Sequence, residues 1–182
     1  MLKHWTLRNL ILITLIAILC GIISWGASYL YNVLVLVLTP LGLKPFANEA
    51  LLGLWIISGP LAAEVCRTPG AAFFSEVLTA VVEIFLDDQW GVINLITGAI
   101  QGAGTEAGFA LTQYRYNWIG LSTAALTGTI ITFGYDLLSL GYSHYPLPLL
   151  MGLFIVRLLS LLIISSWLPG RVVKMLKKTK VI

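Results

Sequence analysis

The stretch Phe74–Gly108, FSEVLTAVVEIFLDDQWGVINLITGAIQGAGTEAG, decides how the rest of the chain is interpreted. It has the pattern of two apolar helices joined by a short acidic turn. Glu76 and Glu83 lie seven residues apart, so a helix places both on one face. Asn94 and Gln101 share a face of the second helix by the same spacing. A carboxylate near the centre of a bilayer costs about 2.5–3.5 kcal/mol, so these two polar stripes predict a buried pocket or path. The alternative is a polar network that only holds helices together.

The composition indicates an integral membrane protein. Of the 182 residues, 58% are apolar and 10% are charged, and the mean hydropathy is +0.92. Soluble domains carry about 25% charged residues. The length allows about six spans of roughly 20 residues with short loops. We therefore predict an all-α integral membrane protein, with residues 1–182 forming one domain, a six-transmembrane-helix bundle. The predicted spans cover about 6–30, 49–66, 71–86, 91–112, 118–140 and 149–168, and a basic tail covers 170–182.

The distribution of basic residues predicts the orientation. If the N-terminus is cytoplasmic, nine Lys and Arg residues lie on the cytoplasmic side and one, Lys44, lies outside. This bias predicts a multi-pass protein of the cell membrane with both termini in the cytoplasm. The net charge of +3 reflects the same bias and gives no indication of nucleic-acid binding. The basic tail is expected to contact anionic headgroups of the lipid bilayer or a cytoplasmic partner.

The motifs that would indicate catalysis are missing from the sequence. It contains no Walker lysine motif, no G-x-S-x-G and no H-E-x-x-H. The two cysteines, Cys20 and Cys66, and the two histidines show no metal-ligand spacing. We therefore predict a protein that is not an enzyme, with no cofactor and no metal site.

The depth of each polar residue in the predicted spans indicates a ligand pocket. Acids such as Glu83 fall in the outer half of the membrane, together with several aromatic residues, while the basic residues lie inside. Aromatic faces and carboxylates together suit a cationic or amine-bearing aromatic ligand. The candidate substrate-binding residues are Glu49, Trp55, Glu76, Glu83, Trp90, Asn94, Gln101, Tyr135, Asp136 and Tyr145.

Two of the charged residues have competing interpretations. Arg157 is isolated among apolar residues, so we expect a structural partner such as Glu76 or Glu106. Asp136 either lines the ligand cavity or pairs with Arg157.

Small residues at four-residue spacing follow one face of the first span. They are Ala17, Gly21, Ser24 and Ser28. Such a face allows another helix to approach closely. It serves either packing within this chain or docking to a partner protein.

A set of short stretches, spread from the second span to the sixth, resembles a known family. The stretches are PFANEALLGLW at 45–55, RTPGAA at 67–72, SEV at 75–77, VE at 82–83, QGAGTE at 101–106, YDL at 135–137 and VRL at 156–158. With these stretches in this order, the chain resembles the S component of an energy-coupling factor (ECF) transporter. More closely it resembles the YkoE family, whose members are linked to thiamin and its hydroxymethylpyrimidine precursor.

The resemblance implies a membrane-embedded subunit that captures a vitamin from outside. Such a subunit docks on a transmembrane coupling subunit, and two cytoplasmic ATPase subunits hydrolyse ATP for uptake. The family's docking motif, Ala-x-x-x-Ala, has its nearest match at Ala17 and Gly21, and residues 39–48 would form a lid over the pocket. The ligand contacts implied are Glu49, Trp55, Glu76, Glu83 and Gln101. The alternative is an autonomous proton-coupled secondary transporter, with Glu76, Glu83 or Glu106 as a proton relay.

Overall fold

The computed structural model describes residues 5–86 and 89–179, and these ranges contain helices and no strand. Asp87 and Asp88 of the predicted acidic turn, and the last residues of the basic tail, lie outside the described residues. The described part has eight α-helices: α1 Leu7–Leu38, α2 Pro45–Trp55, α3 Ser58–Cys66, α4 Ala71–Phe85, α5 Ile93–Leu111, α6 Trp118–Ser139, α7 Leu147–Ser160 and α8 Leu168–Lys178. A π-helical segment, Leu161–Trp167, joins α7 to α8. The predicted all-α class is therefore confirmed.

The second predicted span, 49–66, consists of two helices, α2 and α3. The chain leaves the helical path at Ile56 and Ile57, between α2 and α3. Pro60 has no N–H, so the carbonyl of Ile56, four residues earlier, loses its usual partner. The hydroxyl of Ser165 donates to that carbonyl at 2.9 Å. The break is thus stabilised by a side chain from the π-helical segment, which lies more than a hundred residues away in sequence.

The connection between α1 and α2 is more ordered than the sequence indicated. A short 3-10 turn, Thr39–Leu41, follows α1 directly, and α2 already begins at Pro45. Proline suits the first turn of a helix because the N–H it lacks would have no intrahelical partner there. The expected lid at 39–48 is therefore mostly helical, and only a few residues near Gly42 are irregular.

Glycines allow the helices that carry the polar residues to pack closely. A Cβ on Gly98 would lie 2.7 Å from the Cβ of Ala80, and one on Gly102 would lie 2.9 Å from the carbonyl oxygen of Phe73. On the other side of α5, a Cβ on Gly104 would lie 3.0 Å from the Cα of Gly128. These contacts place α5 directly between α4 and α6, so the glycines determine the spacing of the walls between which a cavity forms.

Three helical stretches of the described chain are long and apolar enough to cross a membrane by length and composition. They are Leu7–Leu41, Pro45–Cys66 and Leu147–Lys178. The outer face of α1 exposes large aliphatic side chains such as Leu10 and Leu19, as expected for contact with lipid. The sequence predicted six spans, and the other three correspond to α4, which has only 15 residues, and to α5 and α6. The span count and the orientation of the termini stay predictions.

Candidate ligand cavity

One cavity lies between α2, the N-terminal half of α5 and the C-terminal parts of α4 and α6. Its volume is about 180 Å³. It is lined by Asn48, Leu52, Trp55, Glu76, Ala80, Glu83, Trp90, Ile93, Asn94, Thr97, Ile100, Gln101, Thr132, Tyr135, Asp136 and Leu140. Most of the lining surface is apolar, and three carboxylates and three amides converge on this space. This is the usual make-up of a small-molecule site.

The two carboxylates predicted to share a face of α4 do so, and both are held by hydrogen bonds. Glu76 is 1% exposed and accepts a 2.6 Å hydrogen bond from the backbone N–H of Gly59. Glu83 is 4% exposed and accepts a 2.6 Å hydrogen bond from the side-chain amide of Asn94. The side-chain oxygen of Asn94 in turn accepts from Thr97 at 3.0 Å. The two acids are therefore fixed in position before any ligand binds, which lowers the entropy cost of binding.

Aromatic rings form the wall next to α1. The ring centroids of Tyr31 and Trp55 are 5.9 Å apart, and those of Tyr31 and Trp90 are 5.8 Å apart. The indole N–H of Trp55 donates to the carbonyl of Ser24 at 3.3 Å, which fixes the orientation of that ring. Edge-to-face and tilted arrangements of this kind are favourable for aromatic pairs. The sequence did not predict Tyr31 as part of this aromatic wall, and nothing about its position on α1 indicated that role.

Arg157 forms a buried ionic cluster beside the cavity. Its guanidinium pairs with Glu49 and with Asp136, and it donates to the hydroxyl of Thr132 at 3.1 Å. Tyr142 donates its hydroxyl to Glu49 at 2.8 Å. Burial, and next the carboxylate of Glu49, raise the pKa of the Tyr142 phenol, so its hydroxyl stays protonated and acts as a donor. The prediction that Arg157 pairs with Glu76 or Glu106 was wrong. Each of these carboxylates accepts a hydrogen bond from a backbone N–H elsewhere.

The cluster also resolves the two interpretations of Asp136, because both hold. Asp136 pairs with Arg157 and lines the cavity. Glu49 is fully buried, and its two oxygens lie against Arg157 and Tyr142. It is absent from the cavity lining, and so is Tyr145, which packs against Tyr142 at a centroid distance of 5.4 Å.

The structure thus brings together eight of the ten candidate residues: Trp55, Glu76, Glu83, Trp90, Asn94, Gln101, Tyr135 and Asp136. The candidate residues predicted from the sequence did not include the polar lining residues Asn48, Thr97 and Thr132. Thr97 lies three residues after Asn94, and Thr132 lies four residues before Asp136. The helical spacing to a candidate residue was therefore an available signal for both.

Glu106 lies away from the cavity and caps a helix. Its carboxylate accepts from the backbone N–H groups of Gly70 at 2.6 Å, Ala72 at 3.2 Å and Phe73 at 3.4 Å. These are N–H groups at the start of α4 that have no partner within the helix. A negative charge is also favoured at a helix N-terminus. Glu106 therefore joins α5 to the first turn of α4.

The small residues of α1 serve packing within the chain. Ala17, Gly21, Ser24 and Ser28 are all buried. A Cβ on Gly21 would lie 2.7 Å from Cγ1 of Val82 on α4. The predicted docking of a partner on this face is therefore corrected to the alternative, helix packing inside this chain.

Comparison with known proteins agrees with this fold. Residues 8–131 match the family described as "ABC-type cobalt transport system, permease component". The chain is 31% identical, over 159 residues, to the putative HMP/thiamine permease protein YkoE of Bacillus subtilis (strain 168), covering 87% of this chain and 77% of that protein. It also matches a solved structure, a crystal structure of an S-component of ECF transporter, at a TM-score of 0.88 and 29% identity. That match covers 98% of this chain and 88% of the other.

The chain belongs to this family of transporter permease components, and it has the fold of an ECF S component. The resemblance to the YkoE family is confirmed. These relatives are parts of transporters, which does not favour an autonomous proton-coupled carrier.

Proposed function

We propose that the chain is the substrate-binding subunit of an ECF-type vitamin importer and captures thiamin or its hydroxymethylpyrimidine precursor from outside the cell. The observation that supports this most directly is the cavity in which Glu76, Glu83, Trp55 and Trp90 line one space. The name of the relative from Bacillus subtilis includes HMP and thiamine, and the chemistry of the cavity lining suits the same ligands.

The chemistry of the ligand matches the lining. The aminopyrimidine ring, common to thiamin and its precursor, has an amino group that donates hydrogen bonds and a flat face. A buried carboxylate such as Glu83 is a strong acceptor for such a donor. The indoles of Trp55 and Trp90 offer faces to the ring, and they also attract the thiazolium cation of whole thiamin. Gln101 supplies an amide that can pair with a ring nitrogen.

Cobalt, named in the family description, is a less suitable ligand for this cavity. Within the described residues no three His, Cys, Asp or Glu side chains are grouped so that they could hold a metal ion. The lining combines carboxylates with aromatic rings and amides, a set that suits an organic cation. Transition metals prefer imidazole or thiolate ligands in most protein sites.

The remaining parts of the proposal concern the membrane and the partners. The chain spans the cell membrane six times with both termini cytoplasmic, as the distribution of basic residues predicts. A transmembrane coupling subunit and two cytoplasmic ATPase subunits supply the energy for uptake, because this sequence has no Walker motif of its own. The cavity then opens toward the outside.

The test is ligand binding to the purified chain in detergent, measured by calorimetry with thiamin, hydroxymethylpyrimidine and Co²⁺. Glu83→Gln removes the charge from the acceptor and is expected to weaken vitamin binding at least about tenfold, since a hydrogen bond to a charged group contributes about 1.5–3 kcal/mol. Glu64→Gln is the matched control, because Glu64 is also a buried acid but lies outside this cavity. It should leave the affinity unchanged.

The result for each ligand leads to a different conclusion. Binding of both thiamin and hydroxymethylpyrimidine assigns recognition to the pyrimidine ring, and binding of thiamin alone assigns it to the thiazolium cation. Binding of Co²⁺ but of neither thiamin nor hydroxymethylpyrimidine would contradict the proposal.

A further inference from the structure

A second cavity lies at the other end of α6 from the ligand cavity. Its volume is about 380 Å³. It is lined by Glu64, Tyr116, Asn117, Trp118, Leu121, Trp167, Gly170, Arg171, Val173, Lys174 and Lys177. These residues come from the end of α3, the turn before α6 and its first residues, the end of the π-helical segment and the amphipathic helix α8. The proposed capture of a vitamin makes no use of any of them.

The helix that closes this cavity is held firmly against the bundle. The hydroxyl of Ser166 donates to the carbonyl of Leu121 at 2.9 Å, just before α8 begins. A Cβ on Gly170 would lie 3.1 Å from Cδ1 of Leu121, so this first turn approaches α6 closely. Val173 is 2% exposed. Contacts with α6 therefore fix the position of the α8 wall of this cavity.

An unpartnered carboxylate lies inside the cavity. Glu64 is 5% exposed, and its Oε1 has no hydrogen-bond partner in the part of the chain that the structure describes. Lys177 and Arg67 are near enough to act on it electrostatically, but neither forms an ion pair with it. A buried carboxylate oxygen without a donor is costly, so a donor from outside the chain is expected there.

A buried hydroxyl accompanies the carboxylate. The Tyr116 oxygen also has no hydrogen-bond partner in the described ranges. Burial raises the pKa of the Tyr116 phenol above its usual value, so the group stays protonated and can donate to an anion. The cavity therefore offers both an acceptor and a neutral donor.

Three cations and two indoles surround these groups. Arg171, Lys174 and Lys177 line the cavity from α8, against the single acid Glu64. The guanidinium of Arg171 lies 5.0 Å from the centroid of the Trp167 ring. Trp118 is 54% and Trp167 is 47% exposed. Half-exposed tryptophans beside basic residues are typical of the level of lipid headgroups in a membrane.

We propose that this cavity binds a glycerol phosphoester, the headgroup of an anionic phospholipid such as phosphatidylglycerol. The phosphate lies among Arg171, Lys174 and Lys177 and accepts from Tyr116. A headgroup hydroxyl donates to the free oxygen of Glu64. The excess of cations over Glu64 selects a net negative headgroup, and the free carboxylate selects one that carries a hydroxyl donor.

The test uses native mass spectrometry of the full chain in detergent, with phosphatidylglycerol, phosphatidylmethanol and phosphatidylcholine as probes. The wild type should retain one phosphatidylglycerol in preference to phosphatidylcholine. The double variant Lys174→Gln/Lys177→Gln should bind it about 25-fold more weakly, at roughly fivefold per lysine. Lys178→Gln is the matched control, because it removes the same charge from the same helix outside the cavity. It should change the affinity less than about twofold.

A second comparison tests the carboxylate. Phosphatidylmethanol has the same charge as phosphatidylglycerol but no headgroup hydroxyl, so the wild type should bind it about fivefold more weakly. Glu64→Leu should remove this preference and leave the unfolding midpoint equal or higher. Equal loss of binding in Lys178→Gln, or an unchanged preference in Glu64→Leu, would overturn the proposal.

Soluble glycerol phosphate distinguishes the two sources of the headgroup. Binding of the lipid alone assigns the site to the membrane. Displacement of the lipid by glycerol phosphate, with the same sensitivity to Lys174→Gln/Lys177→Gln, assigns it to the phosphoester itself. Binding of neither overturns the proposal, and the vitamin affinity is unaffected in every case.

Discussion

Arg157 on α7 donates from its Nη2 to Oε1 of Glu49 on α2 at 2.8 Å, and both side chains are fully buried. The same guanidinium contacts Asp136, whose carboxylate also lines the ligand cavity. The pair therefore joins two helices that are far apart in sequence and supports one wall of the cavity. It has a direct consequence for stability.

Arg157→Met should lower the free energy of unfolding by about 3–5 kcal/mol, because it leaves two buried carboxylates without their cation. The measurement is thermal unfolding of the purified protein in detergent. Arg157→Met combined with Glu49→Gln should recover part of the loss, since fewer charges are then unpaired. An unchanged unfolding midpoint in the single variant would contradict a structural role for the pair.

Gly102→Ala should destabilise the protein by about 1–3 kcal/mol and weaken ligand binding, because overpacking forces α4 and α5 apart. The added methyl would lie 2.9 Å from the carbonyl oxygen of Phe73 and 3.2 Å from the Cβ of Glu76. Gly134→Ala is the control, since a Cβ there meets nothing within 4 Å. It should leave the stability equal or higher, by up to about 1 kcal/mol. Equal effects of the two substitutions would show that close packing is not the cause.

Trp90→Ala should weaken vitamin binding about threefold to tenfold, because an aromatic contact contributes about 0.5–1.5 kcal/mol. It should also reduce the quenching of tryptophan fluorescence when the ligand binds. Trp118→Phe removes an indole from the second cavity and should preserve both the affinity and most of the quenching. A fluorescence titration gives both the affinity and the amplitude of the quenching, so one experiment checks both expectations. Loss of quenching in Trp118→Phe would place the ligand elsewhere.

Glu106→Ala should lower the free energy of unfolding by about 1–2 kcal/mol, because the N–H groups at the start of α4 lose their acceptor. Glu106→Gln keeps one acceptor oxygen and should cost less. Both variants should bind the vitamin as the wild type does, since Glu106 lies outside the cavity lining. Chemical denaturation and calorimetry measure the two quantities. Normal stability with lost binding would instead support Glu106 as a functional acid.

The sequence by itself determined the features that depend on local periodicity. A helix repeats every 3.6 residues, so Glu76 and Glu83 had to share a face wherever α4 lay. The same spacing placed Asn94 and Gln101 together. Gly98 and Gly102 lie four residues apart, so a helix also places these two on one face. The helical class and most of the candidate cavity were therefore predictable.

Only the tertiary structure decided which faces meet. Arg157 has two carboxylate partners. Glu49 is separated from it by 108 residues and Asp136 by 21 residues. Glu106 contacts backbone 36 residues earlier. Pairing over such distances depends on the rotation and depth of each helix relative to its neighbours, and the packing of the whole bundle sets both. The periodicity of the sequence gives neither the rotation nor the depth of a helix. For that reason the sequence predicted Glu49 as a ligand residue and did not indicate its ion pair with Arg157.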